Sequence, residues 1–232
     1  MLPLRDDQPR YSTPWVNYFL IGINLAIFFF EASLNRRGLN QLIGTFGVVP
    51  SHLTALLSGS TRYPLPVVAV PFFTSLFLHG SWMHVIGNMW FLFIFGDNVE
   101  DYLGHFKYLI FYLLTGVIAM GTHVVMNMHS TAPAVGASGA IAGVLGAYFV
   151  LYPKARVLTW FPPIFFFHVS AWIILGYWFL LNFLSGTATE LALQRPTMGG
   201  VAFWAHVGGF VAGALLVKVI GERRMRYPYA VG

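Results

Sequence analysis

The chain has 232 residues, of which 57% are hydrophobic, 17% aromatic and only 9% charged. A soluble domain of this size carries about 25% charged residues, so there is too little polar surface here to face water on all sides, and the surrounding medium must be lipid. The net charge of +5 comes without a basic run, which excludes a phosphate-binding strip and nucleic acid as a partner. The lack of cysteine excludes disulfides, thiol nucleophiles and cysteine-based metal sites.

In chain order, Met1–Pro14 is polar, and the apolar run behind it has no small-residue cleavage site, so no cleavable signal is expected. A span needs about 20 mostly apolar residues to cross roughly 30 Å of hydrocarbon. Six candidates follow: Trp15–Leu34, Met83–Leu103, Phe106–Met126, Gly139–Tyr152, Ile164–Leu184 and Val201–Ile220. Between the first two lies a long, Pro-broken segment, within which Leu39–Leu57 is expected as an amphipathic interfacial helix. The prediction is one all-α polytopic membrane domain over 1–232, a six-helix bundle with a long extracytoplasmic loop between its first two spans. Short cytoplasmic tails are expected at 1–14 and 221–232.

Basic residues set the orientation. With both termini inside, Arg5, Arg10, Lys107, Lys154, Arg156, Lys218, Arg223, Arg224 and Arg226 lie inside, and Arg36, Arg37, Arg62 and Arg195 outside. Nine against four favours cytoplasmic termini. The fourth candidate is short: 14 residues make about 21 Å of helix, roughly 9 Å less than the hydrocarbon core. Lys154 and Arg156 hold its C-terminal end at the cytoplasmic surface. Its start, just after Ser138, is therefore expected below the outer surface. Bare amides cannot face lipid, so that point must face protein or a wet cavity.

Other polar groups share this depth. His206 lies five residues into the last span, about 8 Å deep. His84 and Asn88, at i and i+4 in the first turns of the second span, lie on one helix face. A histidine beside a serine activates the hydroxyl for attack on a peptide carbonyl. Free amides and the positive dipole end at Ser138 suit an oxyanion, and Asn88 and His84 offer further donors. No acid is expected in the pocket, so Ser138 and His206 would form a dyad. Gly139-x-x-x-Gly143 and Gly209-x-x-x-Gly213 are small-residue faces that let two helices approach closely enough for short side chains to meet. His52, His79, His105, His123, His129 and His168 are scattered and form no His-Glu-x-x-His cluster; neither a metal nor another cofactor is expected. His79 is expected to shape the mouth of the pocket.

The motifs Gly136-Ala137-Ser138-Gly139, Ala205-His206-Val207-Gly208-Gly209 and His84-Val85-Ile86-Gly87-Asn88, with the run Gly96–Gly104, resemble those of the rhomboid family of intramembrane serine proteases. The likeness is firmest over residues 72–213. It implies a bacterial-type enzyme of the plasma membrane, opening to the extracytoplasmic side. In that likeness Ser138 and His206 are catalytic, and Asn88, His84 and the Ser138 amide form the oxyanion hole. The substrates would be single-span membrane proteins. One departure stands out: where some relatives stack an aromatic ring on the catalytic histidine, this chain has Ala142, so another residue must orient His206. The rival readings are a non-proteolytic binder of membrane helices, which requires loss of Ser138 or His206, and a transporter, which predicts repeats and helices broken at the midplane.

Overall fold

A computed structural model describes residues 2–59, 62–191 and 202–221. Strand β1 (Leu2–Asp6) leads into helix α1 (Trp15–Ser33), after which α2 (Arg36–Phe46) and α3 (Pro50–Leu57) form the loop region. Two short helical turns, α4 (Leu65–Ala69) and α5 (Pro71–Thr74), with a 3-10 turn at Ser75–Phe77, precede α6 (Trp82–Leu103). The remaining elements are α7 (His105–Met126), α8 (Ser138–Leu151), the hairpin β2 (Arg156–Phe161) and β3 (Phe165–Ser170), α9 (Ala171–Leu191) and α10 (Phe203–Ile220). Arg195, Arg223, Arg224 and Arg226, on which the charge count draws, lie outside the described residues, as does Val201.

The helical membrane architecture is the one read from the sequence, with three differences. The expected Leu39–Leu57 helix is two helices. The chain is extended at Gly47–Val49, where Val48 exchanges backbone bonds of 3.0 and 2.8 Å with Ala134, and Pro50 then opens α3 at a position where its missing N–H costs nothing. The fifth candidate span begins at Ala171, not Ile164: the β-branched and aromatic residues on either side of Pro162-Pro163 pair as β2 and β3. Finally, β1, within the stretch expected as a tail, pairs antiparallel with β2 to give a three-stranded sheet ordered β1-β2-β3.

Four of the described helices, α1, α7, α9 (over Ala171–Ala188) and α10, are long and apolar enough to cross a membrane. The run Leu65–Phe77 and α6 make a fifth only as a pair bent by 76°, and α8 is a shorter apolar helix. Their outward faces carry Phe29, Phe93, Ile110, Leu180 and Leu215, all exposed, as lipid-facing helices require. Inside, Phe95, Tyr108, Phe111, Tyr112, Leu145 and Tyr148 are buried below 2%.

At the centre is α8. A Cβ placed on Gly209 of α10 would lie 2.1 Å from the Gly139 carbonyl oxygen, and one on Gly213 would lie 1.9 Å from that of Gly143. On the opposite side, a Cβ on Gly139 would meet Ala119, and one on Gly143 would meet Thr115, both on α7, at 2.7 and 2.5 Å. α8 is thus clamped between α7 and α10 at backbone contact, a closeness only glycine permits.

Candidate active site

The site forms where the N-terminal ends of α6, α8 and α10 converge. The first-turn amides of α8 have no partner within the helix and no side-chain cap. Ser138, the first residue of α8, is half-buried. Across the glycine seam, His206 Nε2 lies 2.8 Å from Ser138 Oγ.

Asn182 of α9 holds the other side of the imidazole, with Oδ1 2.6 Å from His206 Nδ1. The orientation of this amide is fixed, because its Nδ2 donates to the Trp178 carbonyl at 2.8 Å. The Trp178 ring lies against His206, centroids 5.5 Å apart and planes at 35°. The residues that orient His206 in place of an aromatic at Ala142 therefore come from the neighbouring helix. The sequence did carry a signal: Asn182 is a polar residue well inside an apolar run, where polar groups are costly and mark function.

On α6, Ser81 caps the helix by accepting from the His84 amide at 3.2 Å. The His84 ring then lies over Gly136. A Cβ on Gly136 would be 2.7 Å from His84 Cε1 and 3.6 Å from Ser138 Oγ, so the bare glycine is what admits the imidazole beside the serine. Gly136 also has φ +132°, which disfavours any side chain, and its N–H donates to the Ser75 carbonyl at 2.8 Å. One turn below His84, Asn88 is 8% exposed, and its Nδ2 is 3.0 Å from His79 Nε2. His79 is itself buried at 1%, and its backbone N–H donates to the carboxylate of Glu31 on α1 at 3.1 and 3.2 Å. The Asn88 amide nitrogen thus faces the His79 ring, and an amide nitrogen carries two hydrogens, one more than this contact uses. Glu31 and the link from His79 to Asn88 went unread in the sequence, although a carboxylate inside an apolar span is a signal of the same kind as Asn182.

The structure therefore brings Ser138, His206 and His84 together and sets Asn88 one turn below His84. It puts Gly139, Gly143, Gly209 and Gly213 in the seam behind them.

A family model described as the Rhomboid domain matches residues 68–223. The chain belongs to the rhomboid family. It is 28% identical over 183 residues to the rat presenilin-associated rhomboid-like protein, mitochondrial, covering 75% of this chain and 44% of the relative. It is 26% identical over 223 residues to rhomboid protein 1, mitochondrial, of Saccharomyces cerevisiae, covering 93% of this chain and 57% of the relative. Against the chloroplastic rhomboid-like protein 11 of Arabidopsis thaliana the identity is 30% over 158 residues, 65% of this chain and 52% of the relative. The chain spans about half the length of these relatives. Their names place them in mitochondria and chloroplasts, which lends no support to the expected bacterial plasma membrane. The chain is a membrane protein of this family with transmembrane helices.

Proposed function

We propose that this rhomboid-family chain is an intramembrane serine endopeptidase that hydrolyses peptide bonds in or near the transmembrane segments of other membrane proteins. The observation that carries this reading is the 2.8 Å contact between Ser138 Oγ and His206 Nε2 at the open start of a helix. His206 takes the proton as Ser138 Oγ attacks the scissile carbonyl, an acyl-enzyme forms, and the same imidazole returns the proton to the leaving amine. Water, activated by His206, then releases the acyl group. The Ser138 amide, the free hydrogen of Asn88 Nδ2 and the His84 ring stabilise the oxyanion. One such donor is worth about 2.7–4 kcal/mol in a serine protease.

In this reading the chain forms one membrane domain with its core at 72–213. α8 and the bent pair complete six crossings, and both termini lie on the side opposite the pocket. Neither metal nor nucleic acid takes part. The chain has no cysteine, so single cysteines replacing Arg37 and Lys154 report orientation without background. Arg37 is to react from outside and Lys154 only after permeabilisation; the reverse pattern would refute the orientation.

The decisive experiment uses the full chain in detergent with a tagged single-span substrate. Ser138→Ala and His206→Ala are each to abolish cleavage with melting temperatures near wild type. A fluorophosphonate is to label Ser138, and EDTA is to change nothing. Substantial turnover by either variant would remove the proposed nucleophile or base. An intact chain that cleaves no substrate and takes no label would instead be a binder of membrane helices.

A further inference from the structure

We infer that Asn182 is a positioning residue that fixes the tautomer and orientation of His206, so that the working unit is Ser138–His206–Asn182 spread over three helices. The inference rests on the reading of Ser138 and His206 as nucleophile and base. A neutral imidazole carries its single proton on one nitrogen or the other, and only a bare Nε2 can accept from Ser138. Asn182 decides which. Its Nδ2 is committed to the Trp178 carbonyl at 2.8 Å, so the atom facing His206 Nδ1 at 2.6 Å is the carbonyl oxygen, which can only accept. Nδ1 must therefore carry the hydrogen, leaving the lone pair on Nε2, which faces Ser138 Oγ at 2.8 Å.

A flipped amide would set two oxygens against each other at the Trp178 carbonyl, so this assignment follows from the bonding itself. Trp178, one turn before Asn182, lies along the imidazole face and restricts rotation about the ring's bond to Cβ. An amide supplies direction without charge. It holds the base as the acid of a serine-protease triad does, but introduces no carboxylate into the membrane interior, where an ion is expensive. Asn182 is 8% exposed and touches the base rather than the reacting atoms.

The test begins with the full-length wild-type protein labelled with nitrogen-15 histidine, the His206 signals being those missing from His206→Ala. Nδ1 is to appear protonated and Nε2 bare; an Nε2-protonated ring in the wild type would overturn the inference without any variant. In Asn182→Leu, of similar size with no acceptor, the two nitrogen signals are to move toward an average of tautomers. The kcat for the tagged substrate is to fall on the order of 10- to 100-fold, part of the roughly 10²–10⁴ that general-base action contributes. KM should not change, because no substrate contact is lost. Asn182→Asp, which keeps an acceptor on Nδ1, is to recover at least tenfold over the leucine variant. A leucine variant with wild-type kcat, or with lowered kcat and unmoved nitrogen signals, would reduce Asn182 to helix packing. If instead Ser138→Ala still cleaves, the dyad reading fails while the nitrogen signals continue to report on Asn182.

Discussion

The two ends of α6 both bury polar groups, and they use them in opposite ways. Near its C-terminal end, the carboxylate of Glu100 is wholly buried and accepts from the backbone amides of Val16 and Asn17 at 3.0 and 2.6 Å, as well as bonding His105. It caps α1 from a distance, supplying what Pro14 cannot. Asp101 accepts from Tyr11 N and Ser12 Oγ. Asn17 takes the Tyr108 hydroxyl at 2.8 Å and donates to the Leu92 carbonyl at 3.0 Å. Toward the other end, about 18 and 24 Å along the helix from Glu100, Asn88 and His84 keep donor capacity in reserve beside a partly accessible serine. One end is saturated and ties chain segments together; the other, beside Ser138, keeps donors without a partner. Burial of a polar group therefore says little about its role until its bonding capacity has been counted.

The sharpest way to break this comparison is at the unsaturated end. Asn88→Ala is expected to lower kcat and kcat/KM together by on the order of 10²–10³. Its cost in stability should be small, about 0.6 kcal/mol for one intramembrane hydrogen bond. Single-turnover rate and melting temperature on one preparation check both numbers. A destabilised but fully active variant would place Asn88 with the structural polar groups.

At the saturated end the expectation reverses. Glu100→Ala leaves two amides at the start of α1 without their acceptor and is expected to cost about 2–3 kcal/mol. The rate per folded molecule should stay unchanged. Active-site titration with a fluorophosphonate, combined with thermal unfolding, separates the two effects.

The smallest effect concerns β1. Burial, above all, pushes the Asp6 carboxyl up from its ordinary 3.8 to about 6; Asp97 and Asp7 add to this, and the Tyr148 hydroxyl acts against it. The folded state thus holds this proton more tightly than the unfolded chain. The contribution is fully present below about pH 4 and is lost as pH rises through 6, the reverse of a salt-bridged carboxylate. Because Asp6 is partly exposed, the change is expected at about 1 kcal/mol or less. It should appear as faster hydrogen exchange at Leu2–Asp6 between pH 4 and pH 7, after correction for intrinsic rates, and Asp6→Asn should flatten it.

The sequence made the helical membrane class, the short α8 and the glycine faces readable because each rests on length, apolarity or small-residue spacing, which are local properties. It marked Ser138, His206, His84 and Asn88 as chemically rich at one depth. What it did not yield was the partners that hold these groups, Asn182 for His206 and His79 for Asn88. Asn182 lies 24 residues from His206, and no local pattern announces a partner on a neighbouring helix. Ile164–Ser170 looked like helix because it is apolar, although its β-branched and aromatic residues and the preceding Pro162-Pro163 are hairpin features. Glu100 illustrates the middle case. It lies at the end of an apolar span, where a charge is unsurprising, and the helix it caps, α1, became visible only in three dimensions.

The seam between α8 and α10 also bears on how the molecule is made. Ser138 and His206 are 68 residues apart, and α10 is the last helix of the described chain. During synthesis α8 enters the membrane before its partner exists, with glycine carbonyls awaiting the bare faces of Gly209 and Gly213. Ser138 and His206 meet only when that final helix docks. A nascent chain halted before α10 carries Ser138 without the imidazole that faces it in the finished fold.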